Sequence, residues 1–254
     1  MREHLEANTI RIGCAGWSIS KEHAALFLPA DSQLERYAQR FNAVEINSSF
    51  YRPHLPATYA RWAATTPDDL SFAVKMPKAI THTQRLKGAT ELLERFLGEV
   101  GQLGAKLGPL LVQLPPSLVF DTRVADTFFS LLRERFAGVV ACEPRHPSWF
   151  SAEADALLIA FQIARVAADP AIMPAATTPG GWRGLAYYRL HGSPTMYASA
   201  YSATYLNDLA QHLRVLSVPA WCIFDNTALG AATTNALELL ARLDEAHHSA
   251  IGLL

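Results

Sequence analysis

Eight short apolar runs, spread along the chain and separated by helix-patterned segments, constrain this sequence more than any other feature. They are TIRIGCAGW (Thr9–Trp17), AVEINSSF (Ala43–Phe50), SFAVKMP (Ser71–Pro77), LLVQLPP (Leu110–Pro116), VVACEPR (Val139–Arg145), ARVAADP (Ala164–Pro170), LAYYRLHG (Leu185–Gly192) and AWCIFDN (Ala220–Asn226). As a set they are rich in Val, Ile, Tyr and Phe, and each is stopped by Gly, Pro or Asn, which are strand signals. Between them, DSQLERYAQRF places Leu34, Tyr37, Ala38 and Phe41 on one helical face behind an Asp31-Ser32 cap. SAEADALLIAFQ offers Ser151 as a cap with Glu153 in the first turn. Helical patterns also follow the second, third, fourth, seventh and eighth runs. The segment after the sixth, AIMPAATTPGGWRG, carries two Pro and three Gly and reads as a loop.

Strands that alternate with helices pair in parallel. Eight such units in 254 residues predict a single-domain (β/α)8 TIM-type barrel over 1–254, with a loop in place of the helix after strand 6. An open doubly wound sheet would need a glycine-rich phosphate turn after its first strand, and GCAGWS does not match one.

Composition narrows the partners. Formal charge is −1 with no basic or acidic block, which argues against a long nucleic acid or an anionic membrane surface. The apolar runs fall short of a membrane span. MREHLEANTIRIG lacks an apolar signal core, so a cytoplasmic location is expected. Cys14, Cys142 and Cys222 lie far apart inside apolar runs, as packed reduced thiols do.

Side chains alternate faces along a strand, so each run divides into two sets. Glu45 and Asn47 oppose Val44 and Ile46; Lys75 opposes Phe72 and Val74; Gln113 opposes Val112 and Leu114. Glu143 and Arg145 oppose Val140 and Cys142; Asp169 opposes Val166 and Ala168; Arg189 and His191 oppose Tyr188 and Leu190; Asp225 opposes Cys222 and Phe224. With the apolar set against the helices, the polar set looks into the lumen near the C-terminal strand ends, where barrel enzymes carry their sites. An ion-pair network that only fills space is the competing reading. Apolar filling is usually at least as stable, which favours use.

The segments GCAGWS, VEINSSFYRP, AVKMPKAITH, LGPLLVQLPPS, EPRHPSW, YYRLHGSP and FDNTALGAATTNAL follow one another over nearly the whole chain. Together they resemble the YecE-like family, the domain of unknown function numbered 72. The resemblance implies a (β/α)8 barrel and supplies no reaction. The chain departs from the family pattern at SISKEHAALFLP, where an aromatic segment is usual, and at Pro144, where an aromatic usually separates the Glu and Arg.

The polar set suits an enzyme that uses acid/base chemistry on a small phosphate- or carboxylate-bearing substrate. Glu45, Glu143, His191 and Asp225 are the acid/base candidates. Lys75, Arg145 and Arg189 supply positive charge, with Asn47, Gln113 and Asp169 as polar contacts. Asn226, Thr227 and Gly230 precede the last helix, where free backbone N–H groups suit a phosphate or form an ordinary cap. Trp149, Tyr197 and Tyr201, together with Trp17, Phe50 and Tyr51, follow strand ends as an aromatic rim or as loop packing. Lys75 would also serve as a Schiff-base amine if burial lowered its pKa. No nucleotide or flavin motif is present. A divalent metal held by Glu45, Glu143, Asp169, His191 and Asp225, as in a metal-dependent isomerase or hydrolase, is less favoured because three cations interleave with them. A ligand- or nucleotide-binding module without turnover is the reading from another class. The substrate and oligomeric state are not in the sequence.

Overall fold

The structure, a computed structural model, describes residues 9–251, with side chains described through residue 244. Its strands are β1 (Ile10–Ala15), β2 (Ala43–Ile46), β3 (Ser71–Lys75), β4 (Leu107–Gln113), β5 (Val140–Glu143), β6 (Ile163–Arg165), β7 (Ala167–Asp169), β8 (Gly180–Gly181), β9 (Ala186–Leu190) and β10 (Ala220–Phe224). The helices are α1 (Gln33–Ala38), α2 (Pro56–Ala64), α3 (Thr90–Val100), α4 (Thr122–Arg135), α5 (Ala152–Ala160), α6 (Ala203–Arg214) and α7 (Ala231–Ile251). Capping follows the sequence pattern. Ser32, Asp121, Ser151 and Ser202 each accept a backbone N–H of the first turn that would otherwise lack a partner.

Ten strands form one sheet, ordered β7-β9-β10-β1-β2-β3-β4-β5-β6-β8. The order becomes a ring once β6 and β7 are seen as one strand interrupted at Val166. Its first half pairs in parallel with β5 and its second half with β9. The eight expected barrel strands therefore close on themselves. After β7 no helix follows. A short turn (Pro174–Ala176) leads into β8, which returns antiparallel to β6.

Two apolar layers result. Ile12, Cys14, Val44, Ile46, Phe72, Val74, Val112, Cys142, Cys222 and Phe224 face the helices. The three cysteines are free and buried. A smaller cluster fills the lumen floor with Ala43, Ala73, Leu111, Ala141, Ala164, Val166, Tyr187, Trp221 and Ile223. Small residues from four of these strands leave room for the stacked Tyr187 and Trp221 rings, 6.2 Å apart at a 5° interplanar angle. Gly13 is needed nearby, since a Cβ there would stand 2.0 Å from the Ala43 carbonyl oxygen. No described helix is long and apolar enough to cross a membrane.

One strand has the opposite phase from the expectation. Val166 belongs to the lumen floor and Ala167 to the helix side, so Asp169 shares the outward face with Ala167. Arg165 faces outward too, 3.2 Å from Asp155 of α5 and over the Phe150 ring.

Candidate functional site

Above the floor, six strands place their next inward residue in a polar layer. Two residues beyond Ala43, Ala73, Leu111 and Ala141 come Glu45, Lys75, Gln113 and Glu143. Two beyond Tyr187 and Ile223 come Arg189 and Asp225. This is the period of a strand carried past the floor to the C-terminal mouth.

Arg189 is the centre of the layer and is fully buried. Its Nε and Nη2 donate to Glu45 Oε2 and Oε1 at 3.0 and 2.7 Å. Nη1 donates to Glu143 Oε2 at 2.6 Å, and Nη2 also reaches Asp225 Oδ2 at 3.0 Å. Burial alone would lower the guanidinium's pKa; Glu143, Glu45 and Asp225 overrule it and hold the charge firmly in place. The Tyr187 hydroxyl donates to Glu45 Oε2 at 3.0 Å and so ties the floor to the layer.

Glu143 has no free oxygen. Oε1 meets Arg145 Nη2 at 2.6 Å and His191 Nε2 at 2.9 Å, while Oε2 takes Arg189 and the Gln113 amide at 2.9 Å. Burial pushes its pKa up, but Arg189, Arg145 and His191 together hold it well below the usual carboxylate range. Asp225 is also held low. Burial raises it, and Arg189, His191 and Lys75 outweigh that. The His191 ring lies between the two carboxylates, with Nδ1 3.0 Å from Asp225 Oδ2 and Arg145 Nη2 2.8 Å from Nε2. The Tyr197 ring stands edge-on to it at 5.6 Å. Tyr197 has φ +67, a region unfavourable for a bulky side chain. Its backbone N–H donates to the His191 carbonyl, and its own carbonyl accepts Ala228 N–H at 3.0 Å.

Lys75 occupies the other side of the layer. Its Nζ lies 4.2 Å from the centroid of the Phe50 ring. Among the described residues no oxygen accepts from it. Burial, then Arg189, lower its pKa to about 8, against the opposing pull of Glu45, Glu143 and Asp225.

The layer therefore brings together Glu45, Lys75, Gln113, Glu143, Arg145, Arg189, His191 and Asp225, with Tyr197 at its edge. Asn47 follows β2 with a buried, unpartnered Oδ1, and Arg145 Nε is likewise buried without a partner. Three expected members lie elsewhere. Asp169 faces outward and accepts the Tyr201 hydroxyl at 2.8 Å. Tyr201 is buried on the helix side against Phe224 and Tyr205. Trp149 is buried under the loop after β4, with its indole N–H on the Leu118 carbonyl at 2.9 Å. It lines a cavity of about 250 Å³ with Arg85, Leu86 and Phe120, beside the lumen rather than in it. The rim reading also loses Trp17, whose ring packs 4.9 Å from Trp62 of α2. Asn226 is fully buried and ties the Ser199 carbonyl to Asn235, while its Oδ1 has no partner. Thr227 and Gly230 form the turn into α7, closed by Gly230 N–H on the Thr227 carbonyl at 3.2 Å. The carboxylates of the metal alternative converge on Arg189, and Asp169 is not among them.

Sequence reasoning missed Tyr187 and the role of Phe50. Tyr187 was legible, because it shares the strand parity of Arg189. Phe50 was not, because it sits in a short helical turn, Ser48–Phe50, where strand parity no longer applies. Also unforeseen was a polar chain at the start of α7. There Ser20 Oγ lies 2.7 Å from His23 Nδ1, and His23 Nε2 lies 2.6 Å from Thr234 Oγ1.

Comparison with known proteins agrees with this architecture. The family described as "Protein of unknown function DUF72" matches residues 11–252. The UPF0759 protein YecE of Escherichia coli K12 is 33% identical over 146 residues, covering 56% of this chain and 50% of that protein. The chain thus matches about half the length of this curated relative. The crystal structure of a DUF72 family protein from Enterococcus faecalis has a TM-score of 0.77 at 22% identity, covering 93% of this chain and 96% of that one. A second, from Thermotoga maritima, has a TM-score of 0.76 at 24% identity, covering 93% and 99%.

Proposed function

The chain belongs to the DUF72 family of proteins of unknown function, and from that premise we propose that it is an enzyme working by acid/base chemistry on a small anionic substrate at the C-terminal mouth of its barrel. The observation that carries this reading is the unequal filling of the polar layer. A network meant only to fill space would satisfy all its members. Here Arg145 Nε, Asn47 Oδ1 and Lys75 Nζ have no partner among the described residues, while Arg189 meets carboxylates through four hydrogen bonds and both oxygens of Glu143 are taken.

Roles follow from that division. Glu45, Glu143 and Asp225 fix the positions of Arg189, Arg145 and His191 and hold the charge of Arg189. The donors crowded around Glu143 leave it no lone pair for a substrate proton, and its low pKa makes it a poor acid at neutral pH. Proton transfer falls instead to Lys75, while His191, fully buried with both ring nitrogens engaged by Asp225, Glu143 and Arg145, positions them. Arg145 and Lys75 supply positive charge to the anionic group, and Tyr197 covers the imidazole. Gln113 orients Glu143.

The test is a thermal-shift screen of small phosphates and carboxylates, followed by turnover assays on any that bind. The expected result is a raised Tm with at least one anion. Arg145→Ala should weaken that anion's binding about ten- to a hundredfold, the worth of a charge-assisted hydrogen bond of about 1.5–3 kcal/mol. If no anion in a broad panel raises Tm, the reading fails. If an anion binds without turnover, the protein is a binding module rather than an enzyme.

A further inference from the structure

Lys75 is the layer's one side chain whose surroundings favour a change of chemical state. An ammonium has three N–H donors to satisfy. Nζ has none of its bonds met by a described residue, although Lys75 is only 6% exposed. Burying an unsatisfied charged donor is costly. The atom is nevertheless not sealed in. The buried unpartnered atoms of the layer include Arg145 Nε and Asn47 Oδ1, but not Lys75 Nζ. Nζ therefore keeps a small contact with solvent.

The groups facing Lys75 are Arg189 from β9, Glu45 from β2, Glu143 from β5 and Asp225 after β10. His82, in the turn after β3, stands edge-on to the same Phe50 ring at 4.9 Å, and burial with Lys75 and Lys78 lowers its pKa. The carboxylates favour a positive charge at this point. The lack of acceptors disfavours an ammonium. A protonated imine meets both demands, because it keeps the charge with a single N–H. Being planar, it also lies over an aromatic face as the ammonium does.

We propose that Lys75 is a nucleophilic amine and that the substrate class is a small anion bearing an aldehyde or ketone, taken up as an imine. This deepens the acid/base reading above and rests on it. The neutral Nζ lone pair forms a C–N bond to the carbonyl carbon as the C=O π pair moves to oxygen. That oxygen takes up a proton, and nitrogen gives one up. After a second proton transfer to oxygen it leaves as water while the nitrogen lone pair forms C=N, which gives the protonated imine directly, with one N–H left on nitrogen. Nothing is oxidised or reduced. The free amine is available because the lysine is held near pH 8 rather than at its ordinary 10.5.

The experiment uses the full chain with pyruvate, glyoxylate or pyridoxal phosphate as probes, each with and without sodium borohydride, read by intact mass and peptide mapping. The expected result is one reduced adduct per chain, mapped to Lys75 and increasing through a midpoint near pH 8. Lys75→Met, checked for folding by circular dichroism, should lose it. Peptide mapping of the unaltered protein decides the matter even if that variant does not fold. Adducts spread over surface lysines, or absent from Lys75 with all three probes, overturn the proposal. If an anion raises Tm while Lys75 stays unmodified, the imine fails and the acid/base reading stands. If no anion raises Tm, the acid/base reading fails, and the imine with it.

Discussion

On one side of the lumen a guanidinium, Arg189, is held by Glu45, Glu143 and Asp225. Across the same layer an ammonium, Lys75, rests on the ring of Phe50 with no oxygen partner among the described residues. Both are cations at the C-terminal ends of barrel strands, and both are buried. Arg189 has five donors in a rigid fork and a charge that does not leave, so three carboxylates gather on it and burial becomes tolerable. Lys75 has a charge it can lose, and its site encourages the loss. A buried charge signals structure when carboxylates of the protein gather on it and chemistry when no acceptor does.

That contrast can be broken most decisively at Arg189. Arg189→Ala leaves three carboxylates facing one another in a closed layer. It should destabilise the protein by about 3–5 kcal/mol or prevent folding, as judged by urea denaturation. Lys75→Met removes an ammonium without acceptors and should leave stability equal or raise it. Equal losses in the two variants would erase the distinction.

The next effect is a pH dependence. Lys75 titrates near 8 in the folded protein and at its ordinary 10.5 when unfolded. Between those values the unfolded chain binds more protons, so stability gained through Lys75 rises with pH. At one pKa unit per 1.36 kcal/mol the rise is at most about 3 kcal/mol. It should appear as the difference between the unaltered protein and Lys75→Met in denaturation curves from pH 7 to 10. No difference would mean that Lys75 keeps an ordinary pKa.

The smallest effect lies outside the layer. Asp169→Ala removes the Tyr201 hydroxyl contact and should cost about 0.5–1.5 kcal/mol in Tm-based stability. Binding of any anion found should not change, in contrast to Arg145→Ala. A loss of binding would return Asp169 to the mouth.

How much was legible depended on the residues of each strand. In AVEI, SFAVK and VACE apolar side chains on the helix side alternate with small and charged ones on the lumen side, and in AYYRL and AWCIFD the one charged residue marks the lumen phase. Glu45, Lys75, Glu143, Arg189 and Asp225 were therefore placed correctly from sequence. In ARVAADP the residues flanking Val166 are mostly alanine, and small side chains fit either face. The interruption between β6 and β7 and the loop packed beside them decided the phase, and Asp169 turned outward. Trp149 and Tyr201 follow strand ends, where alternation has stopped, and only the packing of loops shows that both turn away from the lumen.

By itself the sequence determined eight strands, their alternation with helices, a missing sixth helix and the convergence of charges at one end of a barrel. Those are consequences of local propensity and of a two-residue period. Only the tertiary structure decided which charge meets which. Glu45 and Arg189 are 144 residues apart, and their bidentate contact exists because the ring closes and brings β2 and β9 across one lumen. The same closure left Lys75 beside Phe50 with no carboxylate of the described residues within bonding reach. No property of the SFAVK segment alone specifies that.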